Sequence, residues 1–118
     1  MVFDANVPIY LQIMDDFKKQ VISGVYQGGE KVASVRELAV SYGVNPNTVQ
    51  RSLSELEREG LLYSERTSGR FITKDQDMLK QLKSAYADEL IDACVKQLTE
   101  LKFSKEEILK QMKERLEK

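Results

Sequence analysis

The chain has 118 residues, of which 42% are hydrophobic and 31% are charged, and its net charge is −1. This length fits one domain, or one small domain with a helical appendage. The chain has no histidine, which removes the commonest general base and metal ligand, and its single cysteine, Cys94, excludes an intrachain disulfide. The single cysteine favours a reducing cytoplasm, and no signal peptide or membrane-spanning run stands out. No cluster of metal ligands stands out either, so we expect a cytoplasmic protein without a membrane segment, metal or cofactor.

The segment PIYLQIMDDFKKQVISG predicts the first helix. Its apolar residues recur at helical spacing and form one stripe: Tyr10, Ile13, Met14, Phe17 and Val21. Pro8 suits a first helical turn, and Gly24 suits a stop just beyond the last one. The following QGGEK predicts a turn.

A second helix is predicted from SVRELAVSYG. Ser34 and Glu37 have the spacing of a capping box, so the helix should begin at Val35. Its inner face should consist of Val35, Leu38, Ala39 and Tyr42, and Gly43 should end it.

A third helix should follow after only three residues. Asn45 can cap it and Pro46 can be its first residue, and it should run to about Glu59 and stop at Gly60. Two helices joined by a short turn that contains a glycine are typical of a helix-turn-helix.

Residues 61–74 change to a strand-like pattern. LLYSER and RFITK predict two short strands, and Gly69 between them is free to take a positive φ. The sequence therefore predicts a winged helix-turn-helix over residues 1–74, in a fold that is mainly α with a small β-hairpin.

Residues 75–118 form a second region with a different pattern. A long helix should extend from Asp77 to Lys102, and Ser104 and Glu107 offer a capping box for a last helix. We interpret this two-helix tail as a homodimerisation region, because an isolated amphipathic helix needs a partner. The predicted contact residues are Leu79, Leu82, Tyr86, Leu90, Cys94, Leu98, Leu101, Ile108 and Met112. A purely intrachain bundle is the alternative.

The third helix carries the most informative face. On a helical wheel, Val49, Leu53 and Leu56 lie on one side, and Asn47, Gln50 and Arg51 lie roughly opposite. Amides match adenine and arginine matches guanine in the major groove, which accepts an α-helix. Regions 1–74 and 75–118 are both close to neutral, with nine basic residues each and nine or ten acidic ones. DNA binding would therefore need a local basic face.

The strings PIYLQI, SVRELAVSYGVNPNTVQRSLSELEREGLL and SGRFI resemble the gluconate-repressor-type (GntR) bacterial transcription regulators, and the short length and NPNTV turn resemble the YtrA-like subfamily. The resemblance implies a dimeric winged helix-turn-helix that binds double-stranded operator DNA with an inverted repeat, often at a transporter operon or its own operon. The residues expected at the DNA, from the resemblance and the basic wing together, are Ser34, Arg36, Asn45, Asn47, Thr48, Gln50, Arg51, Arg66, Gly69 and Arg70. The wing, Arg66-Thr67-Ser68-Gly69-Arg70, departs from the family's usual Arg-Gly-x-Gly-Thr by losing a glycine and gaining a charge.

Two rival functions remain open at the level of sequence. Winged helices also serve as protein-docking modules, and acids such as Glu55 or Glu65 would favour that role if they neutralised the basic face. An enzyme is disfavoured, because no nucleophile–base pair, phosphate loop or carboxylate cluster is present. A small-molecule effector is compatible with the tail, but no sequence feature requires one.

Overall fold

The computed structural model describes all 118 residues. Its elements in chain order are α1 (Ile9–Ile22), α2 (Val35–Tyr42), α3 (Pro46–Arg58), β1 (Leu62–Glu65), β2 (Gly69–Ile72), α4 (Gln76–Glu100) and α5 (Lys105–Leu116). The mainly α fold with one small hairpin is therefore confirmed. No helix combines the length and the apolar character that crossing a membrane would require.

The core of the first unit, Met1–Lys80, is built from the predicted stripes. The buried side chains of α1 are Ile13, Met14, Phe17 and Val21, and those of α3 are Val49, Ser52, Leu53 and Leu56. Pro8 caps α1 one residue before its first turn, and Gly24 follows the helix with a φ of +88°. Because α1 and α2 both pack against α3, the third helix is held along its whole apolar side.

Side-chain caps fix the starts of α2 and α3, and Gly43 ends α2 before the short turn between the two helices. The Ser34 hydroxyl accepts a hydrogen bond from the Glu37 backbone N–H at 3.1 Å, and the Asn45 side chain accepts from the Asn47 N–H at 2.8 Å. Gly43 ends α2 in the left-handed region, with φ +71° and ψ +39°. These local bonds satisfy backbone donors that a helix start leaves free, so the turn is specified by its own residues.

One polar contact joins α1 to α2. The Tyr42 hydroxyl donates to the half-buried Asp16 carboxylate at 2.9 Å. Burial, together with this bond to a carboxylate, raises the pKa of Tyr42. The phenol therefore stays protonated and keeps donating throughout the neutral range.

The hairpin is antiparallel, and the segment that contains Lys31 and Val32 adds backbone hydrogen bonds along β2. Leu62 pairs with Ile72, and Glu65 pairs with Gly69, whose φ is +105°. The segment before α2 then runs along β2, with the Val32 N–H donating to the Arg70 carbonyl at 2.9 Å. The predicted QGGEK turn therefore leads directly into a β-bridge between Lys31 and Phe71, which local patterning does not reveal.

The first unit extends past residue 74, where the sequence analysis placed the domain boundary. The first turn of α4 belongs to it, because Leu79 and Gln76 lie against Gly28 and Met78 lies against Gly60. Residues Gln81–Lys118 form the second compact unit.

The second unit holds the rest of α4 and all of α5. Lys102 takes a positive φ of +71° in the turn between the helices, and Ser104 and Glu107 form a reciprocal capping box at the start of α5. Ile108 is the only buried residue of this unit, at 9% exposed. Large apolar side chains remain exposed on both helices and in the turn between them: Leu90, Ile91, Val95, Leu101, Leu109 and Leu116.

Candidate nucleic-acid interface

The N-terminal half of α3 presents polar side chains on its open side. Asn47, Gln50 and Arg51 are exposed, while Val49 and Leu53 on the opposite side are buried. The Gln50 side-chain amide donates to the Ser54 hydroxyl at 3.2 Å, one turn further on. This face therefore carries amide and guanidinium donors that are accessible from outside.

Two other predicted residues have a structural task as well. The side-chain oxygen of Asn45 is engaged by the cap, so only its amide nitrogen is free to donate outward. Thr48 is half-buried, and its carbonyl accepts from the Ser52 hydroxyl at 3.1 Å. Both residues lie at the start of α3, so they stabilise the helix and also belong to its predicted DNA-binding face.

A buried serine fixes α3 against α1. Ser52 is fully buried, and its hydroxyl lies 2.9 Å from the Tyr10 carbonyl oxygen, so its one proton is shared between this oxygen and the Thr48 carbonyl. Tyr10 belongs to α1, and its own backbone carbonyl is the one that Ser52 bonds. Its ring stacks under Arg51, whose guanidinium carbon is 3.8 Å from the ring centroid.

The start of α2 supplies the second part of the face. Arg36 is exposed, and no carboxylate lies within 4 Å of its guanidinium nitrogens, so it forms no salt bridge with Glu37 or Glu30. Ser34 is also exposed, but its hydroxyl proton is donated to Glu37 at 3.1 Å. Of these two residues, Arg36 is the one free to bind an anion.

The two arginines of the wing lie in different environments. Arg66 at the tip is exposed and makes no ion pair. Arg70, in contrast, has a side chain that is only 20% exposed, and its Nε lies 3.5 Å from Glu57 Oε1 of α3. Arg66 is therefore open to solvent and the Nε of Arg70 faces Glu57, and contact of either arginine with DNA stays a prediction.

Glu57 is the reason for the inward position of Arg70. Ser64 faces Arg70 across the hairpin, and its hydroxyl donates to the same Glu57 carboxylate oxygen. The buried Nε of Arg70 has no hydrogen bond and depends on the charge of Glu57 for compensation. A residue thirteen positions away in sequence thus decides where this arginine lies.

A groove of about 640 Å³ lies between the wing and the start of α2. Lys31, Ser34, Ser68, Gly69 and Arg70 are among its lining residues. Sequence reasoning missed Lys31 because it placed this residue in a turn. The β-bridge to Phe71 would have been the signal, and it is not local.

The acidic residues of α3 are confined to its C-terminal half. Glu55 pairs with Arg58 at 3.2 Å, Glu57 pairs with Arg70, and Glu59 pairs with Lys18 at 3.1 Å. Glu65 is exposed at the end of β1 and makes no ion pair. None of these carboxylates lies within 4 Å of a nitrogen of Arg36, Arg51 or Arg66.

The residues predicted for dimerisation fall into four groups. Leu79 belongs to the first unit, where it lies against Gly28. Ile108 is buried within the single chain, and Leu90 and Leu101 are 72% and 69% exposed. The remaining residues are half-buried: Leu82, Tyr86, Cys94, Leu98 and Met112.

Comparison with known proteins places this geometry in a family. Residues 9–72 match the family described as bacterial regulatory proteins, gntR family. The chain is 40% identical over 111 residues to the protein named uncharacterized HTH-type transcriptional regulator YhcF of Bacillus subtilis, covering 94% of this chain and 92% of that protein. It is 35% identical over 95 residues to the HTH-type transcriptional repressor YtrA of the same organism, covering 75% and 73%.

Solved structures are similar as well. A GntR family transcriptional regulator from Listeria monocytogenes superposes with a TM-score of 0.88 at 36% identity, covering 95% of this chain and 98% of that one. The DNA-binding domain of AraR, solved in complex with the operator ORX1, superposes with a TM-score of 0.57 at 25% identity, covering 61% and 93%. The chain therefore belongs to the gntR family of bacterial regulatory proteins, which are DNA-binding transcription regulators and not enzymes.

Proposed function

We propose that this protein is a repressor that places the N-terminal half of α3 in the major groove of an operator. Asn47, Gln50 and Arg51 would read base edges, since side-chain amides pair with adenine and the guanidinium pairs with guanine. Their exposure and the rigid attachment of α3 to α1 support this role. Similarity to YtrA, which is named a repressor, supports repression.

Arg36 and Arg66 would bind phosphates on either side of this helix. Arg36 stands in the first turn of α2, where free backbone N–H groups and the helix dipole also favour an anion. Arg66 stands at the tip of the wing. Phosphate contacts of this kind fix the register of a protein on DNA, while α3 supplies the specificity.

The observation that carries the proposal is the charge distribution along α3. The segment Pro46–Ser54 contains no acid, and the three acids that follow are each held in an ion pair, with Arg58, Arg70 and Lys18. A docking module would need no such separation. DNA binding requires it, because an unpaired carboxylate at the groove would repel phosphates.

We further propose that the protein acts as a homodimer through the second unit. Leu90 and Ile91 on α4, and Leu101 just beyond its end, leave an exposed apolar surface that a second copy would cover. A two-fold dimer presents two recognition helices and therefore fits an inverted repeat. Bound across a promoter in the bacterial cytoplasm, it would block transcription sterically. By family resemblance, we propose a transporter operon, its own operon, or both as the target.

The test is fluorescence-anisotropy binding to the DNA upstream of its own gene and to scrambled DNA, at several salt concentrations. We expect tight binding to the upstream DNA alone that persists near physiological salt. Arg51→Ala should weaken it about 10- to 100-fold, because a bidentate base contact is lost. Arg58→Ala, an exposed arginine at the other end of α3, is the matched control and should bind like wild type.

Equal, weak and strongly salt-dependent binding to both DNAs would count against this target. A selection from a random duplex library would then ask whether any sequence is preferred. If no motif is enriched, sequence-specific recognition is refuted and the docking function gains ground.

A further inference from the structure

We infer that Tyr10 is a positioning residue that sets base specificity by holding Arg51 in its reading orientation. This inference rests on the proposed role of Arg51 at the DNA. Its direct basis is the stack in which the guanidinium carbon lies 3.8 Å from the centroid of the Tyr10 ring. Tyr10 belongs to α1, so a helix outside the helix-turn-helix contributes to reading.

A hydrogen bond to its backbone helps to fix the position of Tyr10. The Tyr10 carbonyl accepts a hydrogen bond from the hydroxyl of Ser52, which is fully buried and follows Arg51 directly in the chain. Ile13, one turn further along α1, is buried as well. The backbone of Tyr10 is thus tied to the turn of α3 that carries Arg51, and the ring of Tyr10 stacks on the Arg51 guanidinium.

The geometry suits a reading arginine. Stacking covers one flat side of a guanidinium and leaves its in-plane N–H donors free, and these are the donors that pair with guanine O6 and N7. A depression of about 310 Å³ lined by Ile9, Tyr10, Asn47, Thr48 and Arg51 lies beside the stack. The N–H edge of Arg51 can therefore pair with a base while its flat side stays stacked on the Tyr10 ring.

The charge of Arg51 is stacked on an aromatic ring, that of Tyr10, and is not paired with a carboxylate. Other basic side chains of this unit, at Lys18, Arg58 and Arg70, are held by glutamates. A carboxylate on Arg51 would occupy the same N–H edge and would repel the DNA. An aromatic face orders the side chain without using that edge, which reduces the ordering cost on binding.

The experiment uses a duplex selected from a random library by the wild-type full-length protein. Its affinity is measured for Tyr10→Leu, Tyr10→Phe, Arg51→Ala and the double variant Tyr10→Leu/Arg51→Ala, and for scrambled DNA. We expect Tyr10→Leu to lose about two- to fivefold in affinity for the selected duplex, and Tyr10→Phe to bind like wild type because it keeps the ring. Binding to scrambled DNA should be unchanged in both.

Two readouts separate positioning from a general structural effect. In the Arg51→Ala background, Tyr10→Leu should cost nothing more, since the ring acts only through Arg51. A selection repeated with Tyr10→Leu should lose preference at the position that Arg51→Ala also relaxes, and at no other. Wild-type behaviour of Tyr10→Leu, or additive losses in the double variant, would refute the inference while leaving Arg51 as a reader. A neutral Arg51→Ala would refute both this inference and the proposed face of α3.

Discussion

Arg70 of the wing and Glu57 of α3 form an ion pair, with Arg70 Nε 3.5 Å from Glu57 Oε1. The arginine side chain is 20% exposed and the glutamate 38% exposed, so water screens the pair only in part. The Ser64 hydroxyl donates to the same carboxylate. These contacts join both strands of the hairpin to the recognition helix, and the angle of the wing depends on them.

Glu57→Gln should destabilise the first unit by about 1 kcal/mol. The substitution keeps the size and the acceptor for Ser64 but removes the charge that compensates the buried Arg70 Nε. Urea denaturation at neutral pH measures the change. Glu55→Gln, which affects only the more exposed pair with Arg58, is the control and should shift stability by less. Equal shifts would show that the buried nitrogen has no special cost.

The two wing arginines should differ in the salt dependence of DNA binding. Each phosphate contact contributes about −0.9 to the slope of log K against log salt concentration. Arg66→Ala should therefore reduce the magnitude of the slope by about one for each bound protomer, because Arg66 is exposed and unpaired. Arg70→Ala should lower affinity through the wing angle and leave the slope unchanged. A slope change of one in Arg70→Ala would mean that this arginine leaves Glu57 for a phosphate.

Local chemistry made much of this fold predictable from the sequence. Ser34, Asn45 and Ser104 satisfy backbone donors two or three residues away, so the starts of α2, α3 and α5 follow from short motifs. The exposed face of α3 followed from helical periodicity for the same reason. These inferences need no knowledge of the tertiary structure.

The partners of the site residues could not be predicted in this way. Tyr10 meets Arg51 across 41 positions, Glu57 captures Arg70 across 13, and Lys31 reaches Phe71 across 40. Spacing rules describe only neighbours within one element. The sequence therefore indicated which charges exist, and the tertiary contacts decide which of them remain free for DNA.

Gly43→Ala should destabilise the helix-turn-helix by about 1 kcal/mol. Gly43 has φ +71° and ψ +39°, the left-handed conformation that a Cβ disfavours. No atom lies within 4 Å of the added methyl group, so the cost is conformational and not steric. Gly43→Asn should recover part of the loss, because asparagine tolerates this region. Thermal denaturation of the three proteins tests the order, and an alanine variant as stable as wild type would contradict it.

The cap of α5 should show in the titration of Glu107. Hydrogen bonds from the Ser104 backbone N–H and from the Ser104 hydroxyl lower the pKa of the Glu107 carboxyl below its usual value of 4.5. Since the folded pKa is the lower one, the stabilisation is present above pH 4.5 and is lost as the pH falls through the folded pKa. Ser104→Ala removes the hydroxyl but keeps the backbone N–H, so it should move the pKa of Glu107 only part of the way back toward 4.5, as measured by NMR titration. An unmoved pKa of Glu107 would refute the contribution of the hydroxyl.

Leu90→Glu should convert the proposed dimer into monomers. Leu90 is 72% exposed at the centre of the apolar side of α4, and a buried carboxylate at a two-fold interface would face its own copy. Sedimentation velocity at micromolar concentration measures the assembly, and circular dichroism checks that the helices persist. Asp92→Lys lies about 200° around the helix and should leave the dimer intact. A wild-type sedimentation coefficient in Leu90→Glu would move the interface away from this face. A monomeric wild type would instead favour the intrachain bundle, in which case the apolar side of α4 must serve a different contact.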